Sequence, residues 1–198
     1  RALAELKASR PDLDVRVNWL PFFLNPDTPA AGEPYRAFLE AKFGGPIKAE
    51  AVLDKVRDVA ADDGLVYAFE RIQTRPNTLA AHRLMYRTQA NGQKPERIQA
   101  LAHALFAAHF QEGRDIGDLD TLADIAAACG ERREAVRDWL AGRGEVDSVK
   151  RMAEGVRRQG IEGVPFFILN RKMALSGAQS AAVLGAAILQ SLETGKPS

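Results

Sequence analysis

The stretch Gly163-Val-Pro-Phe-Phe-Ile-Leu169 places a proline directly before a short apolar run that is typical of a strand. Because such a proline removes one ladder hydrogen bond, it is expected at a strand start or at a sheet edge. The backbone of Val164 would then face outward, and an edge of this kind can receive an extended peptide by strand addition. The residues alone favour a trans proline that only begins a strand, because about one X–Pro bond in twenty is cis.

The residues after this run predict a β-hairpin and a final helix. Asn170-Arg171 has the composition of a hairpin tip, and Met173 to Leu175 would form the returning strand. Ser176-Gly177 then leads into a helix with apolar residues at helical spacing. The buried stripe of that helix is predicted to contain Val183, Leu184, Ala187, Ile188 and Leu192.

The other end of the chain predicts a helix followed by a strand. Residues 1–9 have helical character, but no N-cap residue precedes them, so we expect the natural chain to begin upstream of Arg1. For the same reason, the lack of a signal peptide in these residues says nothing about secretion. From Leu13 to Trp19 apolar and polar residues alternate, which predicts a strand with one buried face. A proline-punctuated loop follows it.

Between the two ends the chain is predicted to be helical. Helix starts are marked by Pro34, Asn77-Thr78, Pro95 and Asp118. Further helices are expected over residues 47–61, 131–142 and 146–159, and residues 65–69 indicate a short extended segment.

This element order predicts an α/β fold, in which one sheet domain is interrupted by a large all-helical insertion. The sheet domain would consist of residues 1–30 and 160–198, and the insertion of residues 31–159. The two ends of the chain must then meet in space.

The composition excludes several classes of protein. The chain has 198 residues with 27 Lys and Arg against 26 Asp and Glu, which gives a net charge of +1. A near-neutral chain without basic runs is a poor nucleic-acid binder, because that binding depends on phosphate neutralisation. No stretch approaches the ~18 apolar residues of a membrane span. We therefore expect neither nucleic acid nor a membrane as a partner.

Few residues offer chemistry of their own. The single cysteine, Cys129, can form no internal disulfide and is expected to pack as a small apolar residue near a helix end. The histidines His82, His103 and His109 are never four residues apart, so no pair shares a helix face as metal ligands would. His109 lies on an apolar stripe and is expected in the core. We predict no metal, no cofactor and no catalytic residue within these 198 residues.

Five motifs follow one another in a fixed order: Trp19-Leu-Pro-Phe-Phe-Leu-Asn-Pro-Asp27, Tyr35 to Gly45, Asn77-Thr-Leu-Ala-Ala-His-Arg83, Glu112-Gly-Arg-Asp-Ile-Gly117, and Gly163 to Ile168 with its hairpin and Ser176-Gly-Ala-Gln179. Together they resemble the DsbA-like branch of the thioredoxin superfamily, and more narrowly the FrnE-like disulfide oxidoreductases. The resemblance covers nearly the whole chain. It implies that the sheet domain is thioredoxin-like and that its first strand precedes these residues.

The same resemblance implies thiol–disulfide exchange. In such proteins a Cys-x-x-Cys turn begins the first helix, where the helix N-terminus stabilises a thiolate. The thiolate attacks a substrate disulfide, and the second cysteine resolves the mixed disulfide. Here we expect that turn upstream of Arg1, within roughly 20–30 residues given typical element lengths. Cys129, in the helical insertion, does not fit its role.

The resemblance also implies a substrate site at the hairpin. The bond between Val164 and Pro165 is expected to be cis, with Pro165 facing the redox turn. Val164 is expected to pair with the backbone of a protein or peptide substrate. A homodimer is implied in the same way, and glutathione is a further thiol partner to consider.

The nearest alternative is a glutathione-dependent enzyme. Kappa-class glutathione transferases and 2-hydroxychromene-2-carboxylate isomerases look similar in sheet order and helical insertion, but they use a serine and bind glutathione. Asn77 lies in a segment that resembles both branches, so we count it as a substrate-binding residue, although a helix cap also explains it. Where the kappa-like proteins carry an Asp-Arg pair that resembles a glutathione anchor, this chain has Ala178-Gln179. The missing charges argue against glutathione as the main substrate.

A third interpretation is that the protein is a peptide-binding module without catalytic activity, which would use the same edge at Val164. The compartment is expected to be cytoplasmic, because a single cysteine and an Arg-rich helical surface fit a reducing environment.

Overall fold

The computed structural model describes residues 1–62 and 64–193. The helices are α1 (Ala2–Ser9), α2 (Tyr35–Phe43), α3 (Pro46–Asp62), α4 (Leu79–Ala90), α5 (Pro95–Phe110), α6 (Leu119–Ala128), α7 (Arg133–Ala141), α8 (Val146–Arg158) and α9 (Ala181–Glu193). The strands are β1 (Glu33–Pro34), β2 (Thr74–Arg75), β3 (Phe166–Leu169) and β4 (Met173–Ser176). β1 pairs with β2, and β3 pairs with β4, both antiparallel. Residues 194–198, the end of the predicted sheet domain, lie outside the described residues.

The main core lies among α4, α5, α6 and α7, and we call it the helical core. Its central side chains, such as Leu122 and Val136, are fully buried. Local signals set the helix starts as the sequence predicts. Asp118 caps α6 by accepting a hydrogen bond from the Thr121 N–H at 2.8 Å, and Pro95 stands in the first turn of α5.

Arg83 ties α4 to the end of α7. This buried side chain donates hydrogen bonds to four backbone carbonyls, those of Trp139, Leu140, Gly142 and Gly144, at 2.7–3.3 Å. The last carbonyls of a helix have no partner within it, so a cation with several donors suits them. Arg83 also lies over the Trp139 ring, with its guanidinium carbon 4.8 Å from the ring centroid.

A second, smaller core forms where α2 and α3 pack together. Leu39 and Leu53 bury against Phe69 and Ile72, which belong to the loop before β2. Phe110 at the end of α5 joins this cluster, with its ring centroid 5.4 Å from that of Tyr67.

The two ends of the chain meet, as the sequence predicts. α1 packs against α9, and α9 packs against β3. We call α1, β3, β4 and α9 the terminal unit. The Asn170 Nδ2–H donates to Ser191 Oγ at 2.8 Å and so ties the hairpin tip to α9. Asn170 and Arg171 both have positive φ, as a tight hairpin tip requires.

Residues 13–19 are not a strand, and this prediction is wrong. In the described part of the chain no strand pairs with them, and Val15 and Val17 are each 38% exposed. Alternation alone does not make a strand, because the backbone also needs a partner for its ladder hydrogen bonds.

Two smaller predictions also fail. Residues 65–68 are irregular and lead into a short 3-10 turn, Phe69–Arg71, instead of an extended segment. In α9 the predicted stripe is buried only at Ala187, while Val183 and Leu192 remain 46% and 44% exposed.

The pairing of β1 with β2 involves two residues on each side, too few for a period-two pattern to reveal.

None of the helices in the described ranges combines the length and the apolar character that a bilayer crossing demands.

Candidate functional site

The hairpin presents a backbone edge at Val164, directly before β3. The peptide bond between Val164 and Pro165 is cis, the isomer that the resemblance implies. The Pro165 carbonyl accepts a hydrogen bond from the Gly177 N–H at 2.9 Å, so it belongs to the hairpin. By contrast, the N–H and C=O of Val164 form no hydrogen bond within the described residues, and its side chain is exposed. One donor and one acceptor are therefore available to another extended chain.

A second feature is an irregular segment, residues 19–28, that lies along α4 and turns at residues 24–27. We call it the strap. Gln89 binds the main chain of Trp19 on both sides: its Oε1 accepts from the Trp19 N–H at 2.7 Å, and its Nε2–H donates to the Trp19 carbonyl at 3.0 Å. Two turns earlier on the same face of α4, the His82 Nε2–H donates to the Phe22 carbonyl at 3.2 Å.

Asn77 holds the far end of the strap. Its Nδ2–H donates to the Thr28 carbonyl at 2.7 Å, and its Oδ1 accepts from the Leu79 N–H at 3.1 Å, which also caps the start of α4. The backbone of Asn77 packs closely on Gly117, where an added Cβ would lie 3.1 Å from the Asn77 carbonyl oxygen. A glycine at this position therefore allows the backbone of Asn77 to approach this closely.

A cavity of about 790 Å³ lies between the strap and the helical region. Its walls come from the strap, from α2, α4, α5 and α8, and from the residues between β2 and α4. Apolar side chains dominate the lining, among them Leu24, Phe38, Leu79, Met85, Leu105 and Phe106. This volume falls within the range of pockets that hold drug-sized ligands.

Charged side chains reach the cavity from two directions. Lys150, Glu154 and Arg157 of α8 line it and are exposed, which places them at its mouth. On another wall, Arg75 is ion-paired with Glu33, and its guanidinium carbon lies 3.8 Å from the centroid of the Phe38 ring. The positive charge of Arg75 is therefore already engaged.

Two histidines in the lining are neutral at pH 7. Burial lowers the pKa of His82, and its hydrogen bond to the Phe22 carbonyl only partly opposes this effect. Burial likewise lowers the pKa of His109, whose ring Nδ1 binds the Arg114 carbonyl at 3.2 Å. His109 is 7% exposed, which confirms the prediction of a core histidine.

Comparison with known proteins identifies the family. The sequence profile of the DSBA-like thioredoxin domain matches residues 1–189. The chain belongs to the DSBA-like thioredoxin domain family. Among solved structures it is similar to a probable DsbA oxidoreductase from Streptomyces coelicolor, with a TM-score of 0.84 and 30% sequence identity over 100% of this chain and 84% of that one. No curated protein sequence matches it significantly.

Membership of the DSBA-like family confirms the predicted fold class, a thioredoxin-like α/β fold with a helical insertion. It also places the chain in a family of thiol–disulfide oxidoreductases, as the motifs imply.

The surroundings of Cys129 do not suit the thiol chemistry of such a family. It ends α6 as its C-cap residue, does not line the cavity, and has a carbonyl that accepts a hydrogen bond from Arg97 at 3.0 Å. Burial raises the pKa of the Cys129 thiol, which disfavours the reactive thiolate. Nor do the described residues contain a group of three or more His, Cys, Asp or Glu side chains that could hold a metal ion.

The structure separates the residues that the sequence singles out. Val164 and Pro165 form the hairpin edge, whereas Asn77 lines the cavity, and the cavity lining includes neither of the hairpin residues. Sequence reasoning missed Gln89 and His82. The signal for them was their seven-residue spacing, which puts both polar side chains on one face of α4.

Proposed function

We propose that this protein catalyses thiol–disulfide exchange with protein or peptide substrates in the manner of FrnE-type enzymes, and that its redox pair is a Cys-x-x-Cys upstream of Arg1. Membership of the DSBA-like family supports the reaction class. The reduced pair attacks the substrate disulfide through a thiolate, forms a mixed disulfide, and is oxidised when the second cysteine releases the reduced substrate.

The observation that carries the proposal is the free backbone of Val164. Its N–H and C=O have no partner among the described residues and lie immediately before β3, where an extended substrate would add as one more strand. Main-chain pairing accepts many sequences, as an enzyme that acts on different protein disulfides requires. Asn77 lies away from this edge, and its bonds to the strap and to the start of α4 give it a positioning role in the helical region.

Glutathione is the less favoured substrate. At the position of the charged pair in the kappa-like branch, the Gln179 amide donates to the Ser176 carbonyl at 2.9 Å and carries no charge. A glutathione carboxylate would find no charge-assisted partner at Gln179.

The proposal is tested with the natural full-length protein in the reduction of insulin by dithiothreitol. The wild type should accelerate the reaction. Val164→Pro removes the N–H donor and should slow turnover about tenfold or more, whereas Val164→Ala keeps the backbone and should change the rate less than twofold. Circular dichroism on both variants shows whether the fold is retained.

Two results would contradict the proposal. The first is a wild type that does not accelerate insulin reduction. The second is a folded Val164→Pro variant as active as Val164→Ala, which would remove the backbone of Val164 from substrate binding.

A further inference from the structure

We propose that the cavity behind the strap binds an amphipathic carboxylate, with its apolar chain inside and its carboxylate at the mouth between Lys150 and Arg157. This inference goes beyond disulfide exchange and does not rest on it, because it concerns a ligand held by the helical region.

The interior of the cavity favours an apolar chain. Leu79, Met85, Leu105 and Phe106 line it from two helices, and Leu24 lines it from the strap. The two histidines in the wall are neutral at pH 7, so they add no charge that would repel an apolar group. A volume of about 790 Å³ leaves room for a flexible chain of ten or more carbons.

The mouth of the cavity favours a negative head group. Lys150 and Arg157 are seven residues apart and therefore share a face of α8, and neither forms an ion pair within the described residues. Glu154 lies between them and is likewise without an ion pair there. Two cations against one carboxylate leave the mouth positive, so an anion is attracted and a cation is repelled.

Calorimetric titration of the protein with dodecanoate, dodecanol and dodecylammonium, all below their micelle concentrations, tests the inference. Dodecanoate should bind saturably at one site and about tenfold more tightly than dodecylammonium. Shortening the chain from dodecanoate to decanoate should weaken binding about fourfold for each methylene lost, which is the fold-change expected for one buried CH₂. Raising the salt concentration should bring the affinities for dodecanoate and dodecylammonium closer together, because salt screens the charges at the mouth.

Charge variants on α8 separate attraction at the mouth from general packing. Lys150→Gln and Arg157→Gln should each weaken dodecanoate binding about threefold. Glu154→Gln, on the same helix face, should tighten it about threefold, because it removes the opposing charge. A weaker affinity in Glu154→Gln would overturn the electrostatic part of the inference.

Two leucines of similar exposure provide a matched pair for the cavity itself. Leu24 lines the cavity and is 51% exposed, while Leu192 of α9 lies outside its lining and is 44% exposed. Leu24→Asp should weaken dodecanoate binding at least tenfold, and Leu192→Asp should leave it unchanged. No saturable binding by the wild type, equal affinity for dodecylammonium, or equal loss in the two aspartate variants would each refute the inference.

Discussion

Leu122 of the helical core is fully buried, whereas Leu192 of the terminal unit keeps 44% of its side chain exposed. The contrast holds beyond these two residues. Ala123, Ala126 and Val136 of the helical core are fully buried, while Ile168 of β3 and Val183 of α9 remain 43% and 46% exposed. The side chains of the helical core thus bury one another. The terminal unit instead leaves apolar side chains exposed, and the neighbouring backbone of Val164 forms no hydrogen bond within the described residues.

The largest expected difference comes from the same change made in both regions. Leu122→Ala should lower the free energy of unfolding by about 3–4 kcal/mol, because it leaves a cavity in a close-packed core. Leu192→Ala removes a side chain that is half in water and should lower it by less than about 1 kcal/mol. Urea unfolding followed by circular dichroism measures both. Equal losses would show that the two regions do not differ in packing as their exposures indicate.

Two arginines on α4 provide a second test, within the helical core. Arg83→Met should lower the free energy of unfolding by about 2–3 kcal/mol, because it strands the carbonyls at the end of α7. Arg87 lies at the same distance, 4.8 Å, from the centroid of the Trp139 ring. Its Nη1 is buried and has no hydrogen-bond partner in the described part of the chain.

Arg87→Met is therefore the matched control. This variant removes the same contact with Trp139, but Arg87 Nη1 has no hydrogen bond to lose in the described part of the chain. The free energy of unfolding should therefore fall by less than about 1 kcal/mol. Thermal or urea unfolding of both variants checks the difference. A loss as large in Arg87→Met as in Arg83→Met would mean that contact with Trp139, and not the carbonyl bonds, provides the stabilisation.

The last prediction concerns the pH dependence of stability, and it belongs to the helical region. Burial holds the pKa of His82 and of His109 below the ordinary value, so both are neutral in the folded state while the unfolded chain takes up protons below about pH 6.5. Stability should therefore fall as the pH drops below about 6.5, by up to about 1.4 kcal/mol per pH unit for each histidine until its folded pKa is reached.

Urea unfolding at pH 7.5, 6.5 and 5.5 measures this slope. His82→Gln and His109→Gln should each reduce it. If the free energy of unfolding depends on pH as strongly in the double variant of His82 and His109 as in the wild type, the acid sensitivity belongs to other groups.

Much of the fold could be predicted because its signals are local. Asp118 caps α6, Pro95 opens α5, and the hairpin turns at Asn170 as the sequence predicts. Each of these depends on a few neighbouring residues, so one sequence suffices to read it.

The features that were predicted wrongly or missed depend on contacts between residues far apart in the chain. Residues 13–19 have the alternation of a strand but no strand beside them in the described residues. The cavity could not be predicted, because Leu24, Met85, Phe106 and Arg157 come from four elements and each alone is typical of a loop, a core or a surface. Val164 could be singled out because its signal, a proline before an apolar run, lies in adjacent residues.

Gln89 binds the main chain of Trp19 with one donor and one acceptor, as a neighbouring strand would. A strand, however, fixes the register of every residue along its length, whereas one amide fixes a single point. Between Phe22, which His82 binds, and Thr28 the strap can therefore gain, lose or exchange residues without breaking a hydrogen bond to α4. Relatives built on the same helices can enclose chambers of different size by altering only this stretch.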